Sequence, residues 1–141
     1  MEYSQKKYLL ISPDFPPPNI GGSKVWLLNL VKNSGFKFDV LTCVKSPKFD
    51  EVLSGGSKIY RSSYVSNSSE PSKIQLIKTY TYICYWILRN LKIKKYEAVL
   101  VNPGVIGNGL VIILSKLLNF KIIVAGHGEE ITVPLYKKNL K

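Results

Sequence analysis

Apolar residues along this chain fall into two alternating patterns. Short, nearly continuous runs read as strands: Tyr8–Ser12 (YLLIS), Phe38–Cys43, Ala98–Asn102 (AVLVN) and Lys121–Ala125 (KIIVA). A further run, Lys58–Arg61, is shorter and more polar. Between them, Ser23–Ser34, Ser72–Lys95 and Gly107–Leu118 repeat apolar residues at helical spacing. The predicted element order is β-α-β-β-α-β-α-β. Runs without polar alternation, as in the first, fourth and fifth strands, imply burial on both faces, the condition of a parallel sheet covered by helices. The Lys58–Arg61 strand suits an edge, where charge discourages stray pairing.

Leu27, Leu30 and Val31 form the apolar face of the first helix. Ile74, Ile77, Tyr80, Ile83, Ile87 and Leu91 do so in the second. The third, GLVIILSKLL, is apolar nearly all round and is expected to be well covered. Ser23 suits the cap of the first helix, and Gly35 suits the left-handed residue that closes it. Before the second helix, serines supply caps and Pro71 suits the first turn. Strand–helix–strand units cross over right-handedly. The predicted fold class is therefore α/β, a Rossmann-like three-layer α/β/α arrangement with a parallel sheet in strand order 3-2-1-4-5. Its switch point lies between the first and fourth strands, and ligands of open α/β sheets bind there, outside the carboxyl ends of the strands. Loops bearing glycine reach that edge: Pro13–Gly22, Pro103–Gly107 and the segment from Gly126.

With 141 residues the expectation is a single domain, 1–141, large enough to bury a core unaided. The longest apolar candidate for a membrane span, Ile74–Leu91, is interrupted by Gln75, Lys78, Arg89 and Asn90. The run behind Lys6 and Lys7 is too short for the core of a signal peptide. A cytoplasmic location is expected, with Cys43 and Cys84 as buried thiols. In that setting the sequon at Asn67 is a chance match. The formal net charge of +11 draws anions: nucleic acid, anionic membrane or phosphorylated ligands.

The loop PDFPPPNIGG narrows this choice. Pro16, Pro17 and Pro18 are stiff, and Gly21 and Gly22 follow just before a helix. The first N–H groups of a helix lack internal partners and carry partial positive charge, so a phosphate can bind there if no Cβ blocks it. A plain loop is the simpler alternative. No Walker A sequence and no dinucleotide fingerprint occurs. His127 is the only histidine, which excludes a multi-histidine metal site. It lies between Gly126 and Gly128 at the ligand edge, with Glu129 and Glu130 beside it to tune or orient the imidazole; a structural histidine followed by acids that begin a solvated helix is the alternative. The second helix mixes Tyr80, Tyr82, Tyr85 and Trp86 with Lys78, Arg89, Lys92, Lys94 and Lys95. A crossover helix with a basic end is the plainer account of it, and a membrane-surface helix the alternative.

Strand–PDFPPPNIGGSKVWLLNL–link–GFKFDVLTC resembles the opening of the GT-B glycosyltransferases, in particular the family 4-type N-terminal domain. AGHGEE resembles the H-G-x-E segment after that domain's fifth strand. The resemblance runs in order over nearly the whole chain. It departs where Phe36 replaces the family's histidine before the second strand. By resemblance this is the N-terminal, acceptor-side half of a GT-B fold, and the enzyme is a retaining hexosyl-type transferase. It uses a nucleotide-sugar donor, no other cofactor and no essential metal. Gly21 and Gly22 would admit the donor diphosphate, and His127 would face the transferred sugar. Asn102, Pro103, Gly104, Glu129 and Glu130 would contact sugar or acceptor, the acceptor being a small molecule, a lipid-linked sugar or a polysaccharide. The family's C-terminal nucleotide-sugar domain has no counterpart in these residues. The chain is thus expected to be a fragment or a subunit completed by a partner, not competent alone, with strand five as an exposed apolar edge. Two alternatives belong to other classes. One is a non-catalytic basic module for phosphorylated ligands or nucleic acid, ranked lower because no nucleic-acid reader motif occurs. The other is a peripheral subunit at the inner face of an anionic membrane.

Overall fold

A computed structural model describes residues 6–16, 22–43, 53, 55–66, 71–94, 96–102 and 108–125. Among these residues the sheet has five strands: β1 (Lys7–Ile11), β2 (Lys37–Cys43), β3 (Lys58–Ser62), β4 (Ala98–Val101) and β5 (Ile122–Val124). Their order is β3-β2-β1-β4-β5, and every pairing is parallel. The helices are α1 (Gly22–Asn33), α2 (Lys73–Lys94) and α3 (Asn108–Leu118). This is the α/β, Rossmann-like fold and strand order expected from the pattern.

The register shows why β1 is apolar throughout. Leu10 lies opposite Val40 and Leu100 and shares a core with Leu27 and Val31 of α1. Its neighbours Leu9 and Ile11 point the other way, into a core with Ile83, Trp86 and Ile87 of α2 and Val111 and Leu114 of α3. Two cores on two faces make the three layers, and only a strand without polar alternation fits between them.

Three expectations of burial are corrected. Strand β5 is not covered on both faces: Ile123 is 46% and Val124 52% exposed. It pairs only with β4 among the described residues, and of its residues Ile122 packs onto the core. Helix α3 buries Val111 and Leu114 but leaves Ile113 and Leu117 exposed, because the sheet covers one side of a helix and apolar residues surround this one. Along α2, Ile83 and Ile87 are fully buried, whereas Ile74 and Ile77 face solvent. Thr79, a polar residue, is buried instead. Its hydroxyl donates to the Tyr64 carbonyl at 2.8 Å and accepts from the Ser66 N–H at 3.1 Å, tying the β3–α2 connection to the helix.

Local chemistry sets the helix ends. Gly35 takes the left-handed conformation (φ 72°) that closes α1. Helix α1 starts at Gly22, so Ser23 lies in its first turn rather than at the cap. Before α2, the Gln75 N–H donates to the Ser72 hydroxyl at 3.2 Å, and the Ser72 N–H donates to the Gln75 side-chain oxygen at 3.1 Å. This reciprocal pair is a capping box. Pro71 therefore precedes the cap instead of occupying the first turn.

Candidate functional site

The candidate site lies at the carboxyl edge of the sheet, where the chain leaves the paired strands β1 and β4. The chain leaves β1 at Ser12, which is fully buried and whose N–H donates to the Leu41 carbonyl at 3.0 Å. The described part of the loop that follows, residues 13–16, is anchored by several contacts. Phe15 is 2% exposed and packs with Leu27 and Val31 of α1. Thr42, at the end of β2, donates its hydroxyl to the Pro13 carbonyl at 3.1 Å and accepts from the Phe15 N–H at 3.3 Å. Arg61 of β3 donates to the Pro16 carbonyl at 3.3 Å. Asp14 and Lys24 of α1 approach to 3.8 Å. Stiff residues alone do not hold this loop; side chains from β2 and β3 do.

Gly22 opens α1 at this anchored edge. A Cβ built on it would meet nothing within 4 Å. No acidic residue sits in the first turn of α1, so no side-chain charge there offsets the positive end of the helix dipole. At the same edge lies the end of β4, the neighbour of β1. There the Asn102 N–H donates to the Ile11 carbonyl at 3.2 Å, and the Ala125 N–H to the Val101 carbonyl at 3.0 Å. The buried Ser12 hydroxyl has no hydrogen-bond partner among the described residues. The backbone N–H groups at the start of α1 can meet an anion, at the edge where residues 13–16 are held by Thr42 and Arg61.

Of the residues expected to carry chemistry, Gly22 stands at the start of α1 and Asn102 just past the end of β4. Gly21, Pro103, Gly104, His127, Glu129 and Glu130 lie outside the described residues. Sequence reasoning missed Thr42 and Arg61. Thr42 is one residue of an apolar strand run, and Arg61 figures only as edge-strand charge. Their role depends on contacts to residues 13–16 that no local pattern reveals. Among the described residues no group of three or more His, Cys, Asp or Glu could hold a metal ion.

No protein-family model and no curated protein sequence matches the chain. A solved structure does resemble it: sucrose-phosphate synthase from Thermosynechococcus elongatus, with a TM-score of 0.65 and 17% identity. The shared feature is the fold. The match covers 88% of this chain and 33% of that one, so the chain spans about a third of its neighbour's length.

Proposed function

We propose that this chain is the acceptor-side domain of a GT-B glycosyltransferase, of the retaining family 4 type, which moves a sugar from a nucleotide-sugar donor to an acceptor hydroxyl. The observation that carries the reading is the start of α1, where a Cβ on Gly22 would meet nothing within 4 Å and no acid stands in the first turn, at the carboxyl edge of a sheet whose fold is shared with sucrose-phosphate synthase. The PPP–GG loop and the AGHGEE segment support it by resemblance. In such a transfer the bond from the anomeric carbon to the diphosphate breaks, and its electron pair stays on the diphosphate. The acceptor oxygen forms the new bond and gives up its proton to the departing diphosphate oxygen. The N–H groups at Gly22 and the residues after it would meet the charge that grows on the departing group, already oriented before it forms. His127, with Glu129 and Glu130 beside it, would face the sugar. Asn102, Pro103 and Gly104 would border the acceptor. The remainder of the nucleotide pocket would come from a second unit, so efficient turnover needs more than these residues.

Titration calorimetry with a panel of uridine, guanosine and adenosine diphosphate sugars tests the donor site. Since a Cβ at Gly22 meets no protein atom, Gly22→Val should fold normally and weaken donor binding about tenfold, an effect of ~1.4 kcal/mol. An unaltered affinity would reduce the glycine pair to a hinge.

A further inference from the structure

Among the described residues, helix α2 is covered on one side only. Its packed side holds Thr79, Ile83, Trp86 and Ile87. At roughly 100° per residue, Ile74, Ile77, Thr81, Tyr85 and Leu88 fall within an arc of about 80° facing away from Ile83. The large members of that arc stand in solvent: Ile74 is 67%, Ile77 65%, Leu88 55% and Tyr85 52% exposed. Tyr64, from the β3–α2 connection, stacks on Tyr82 with ring centroids 5.4 Å apart and widens the apolar surface. Tyr64, Ile77, Lys78, Thr81, Tyr82 and Tyr85 line an open groove of ≈ 380 Å³. Contiguous exposed apolar surface of this kind marks a docking site.

The charges around it choose the occupant. Lys78 lines the groove. Arg89 lies over the Tyr85 ring, 5.8 Å from its centroid, and donates to the Tyr85 hydroxyl at 2.6 Å. No acidic residue occurs anywhere in Lys73–Lys94. A second copy of a chain with net charge +11 would set like charge against like. A nucleic-acid backbone offers nothing to isoleucine and leucine at the centre of the face. An apolar centre with a cationic margin and tyrosines between them matches the interface of a bilayer with anionic headgroups. No helix among the described residues is long and apolar enough to cross a membrane, so the contact is one of lying on it. We propose that the outward face of α2, from Ile74 to Leu88, docks this protein on an anionic lipid surface. The proposal is independent of the donor-site reading, because α1 packs on the opposite face of the sheet.

Sedimentation with vesicles tests it, using phosphatidylcholine alone and phosphatidylcholine with roughly 30% phosphatidylglycerol, a typical anionic surface. The whole chain should bind the anionic vesicles several-fold better, and added salt should weaken binding. Ile77→Glu/Leu88→Glu alters exposed positions only, so the helix should persist by circular dichroism while sedimentation falls to the level of neutral vesicles. Lys78→Gln/Arg89→Gln, which leaves the apolar stripe intact, should reduce the preference for anionic lipid. Equal sedimentation with both vesicles would overturn the proposal, as would unchanged binding by both variants. A wild-type dimer that Ile77→Glu/Leu88→Glu dissociates would also overturn it, by assigning the face to a second copy.

Discussion

Asp39 is fully buried in β2, and its neighbours explain how a carboxylate is kept there. Lys7 Nζ lies 3.0 Å from its Oδ2, and the Tyr96 hydroxyl donates to the same oxygen. Lys7 also sits over the Tyr96 ring, 5.7 Å from its centroid. Removing one member of a buried charge pair strands the other. Lys7→Met should therefore lower stability by about 2–3 kcal/mol, somewhat less than for a fully buried pair since Lys7 is partly solvated. Tyr96→Phe should lower it by about 1.5–3 kcal/mol, the range for a hydrogen bond to a charged group. Urea midpoints measure both. Burial first, and then the hydrogen bond to Asp39, push the Tyr96 phenol well above its ordinary range. A raised folded value means that the native state holds this proton after the unfolded chain has released it. The contribution of Tyr96 is thus complete below about pH 10 and fades as pH rises beyond it. The stability gap between wild type and Tyr96→Phe should narrow above that pH; a constant gap would show that Tyr96 does not titrate with folding. None of this was legible locally. The sequence shows a polar residue in an apolar run, but the partner stands 57 positions away. The candidate site divides in the same way. The glycine pair before α1 announces itself by composition, whereas the contacts of Thr42 and Arg61 with the β1 loop are tertiary.

At the scale of the element, periodicity located each strand and helix to within a residue or two, because backbone hydrogen bonding and apolar spacing are both local. What periodicity could not say is which half of an apolar helix is covered. The stripe Ile74, Ile77, Tyr80, Ile83 is continuous in sequence, yet a strict spacing of three drifts by about 60° per step around a helix, so its first members leave the sheet side and that end is held by Thr79 and the capping box. Those polar contacts should carry the start of α2. Ser72→Ala removes an acceptor for the Gln75 N–H and should destabilise the protein by about 1 kcal/mol. Loss of amide-exchange protection confined to the first turn of α2 would show the effect is local. A change spread evenly through α2 and the sheet would contradict it.

For the molecule as a whole, the strand order followed from the order of elements and the handedness of crossovers, which is why it was readable before any coordinates. The exposed apolar edge at β5 was readable too, but the uneven coverage of the helices was not. The outer sides of α2 and α3 carry apolar residues for which the described residues provide no cover, and the sequence treats them like any core residue. The sheet brings the end of β1, the start of α1 and the end of β4 to one edge, and the proposed donor site depends on that convergence. Backbone amide chemical shifts during titration with nucleotide diphosphate sugars test it most directly. The account predicts saturable shifts concentrated at Gly22, Ser23 and Lys24, lost in Gly22→Val. Shifts spread over surface lysines with no focus at the start of α1, or no saturation, would contradict it.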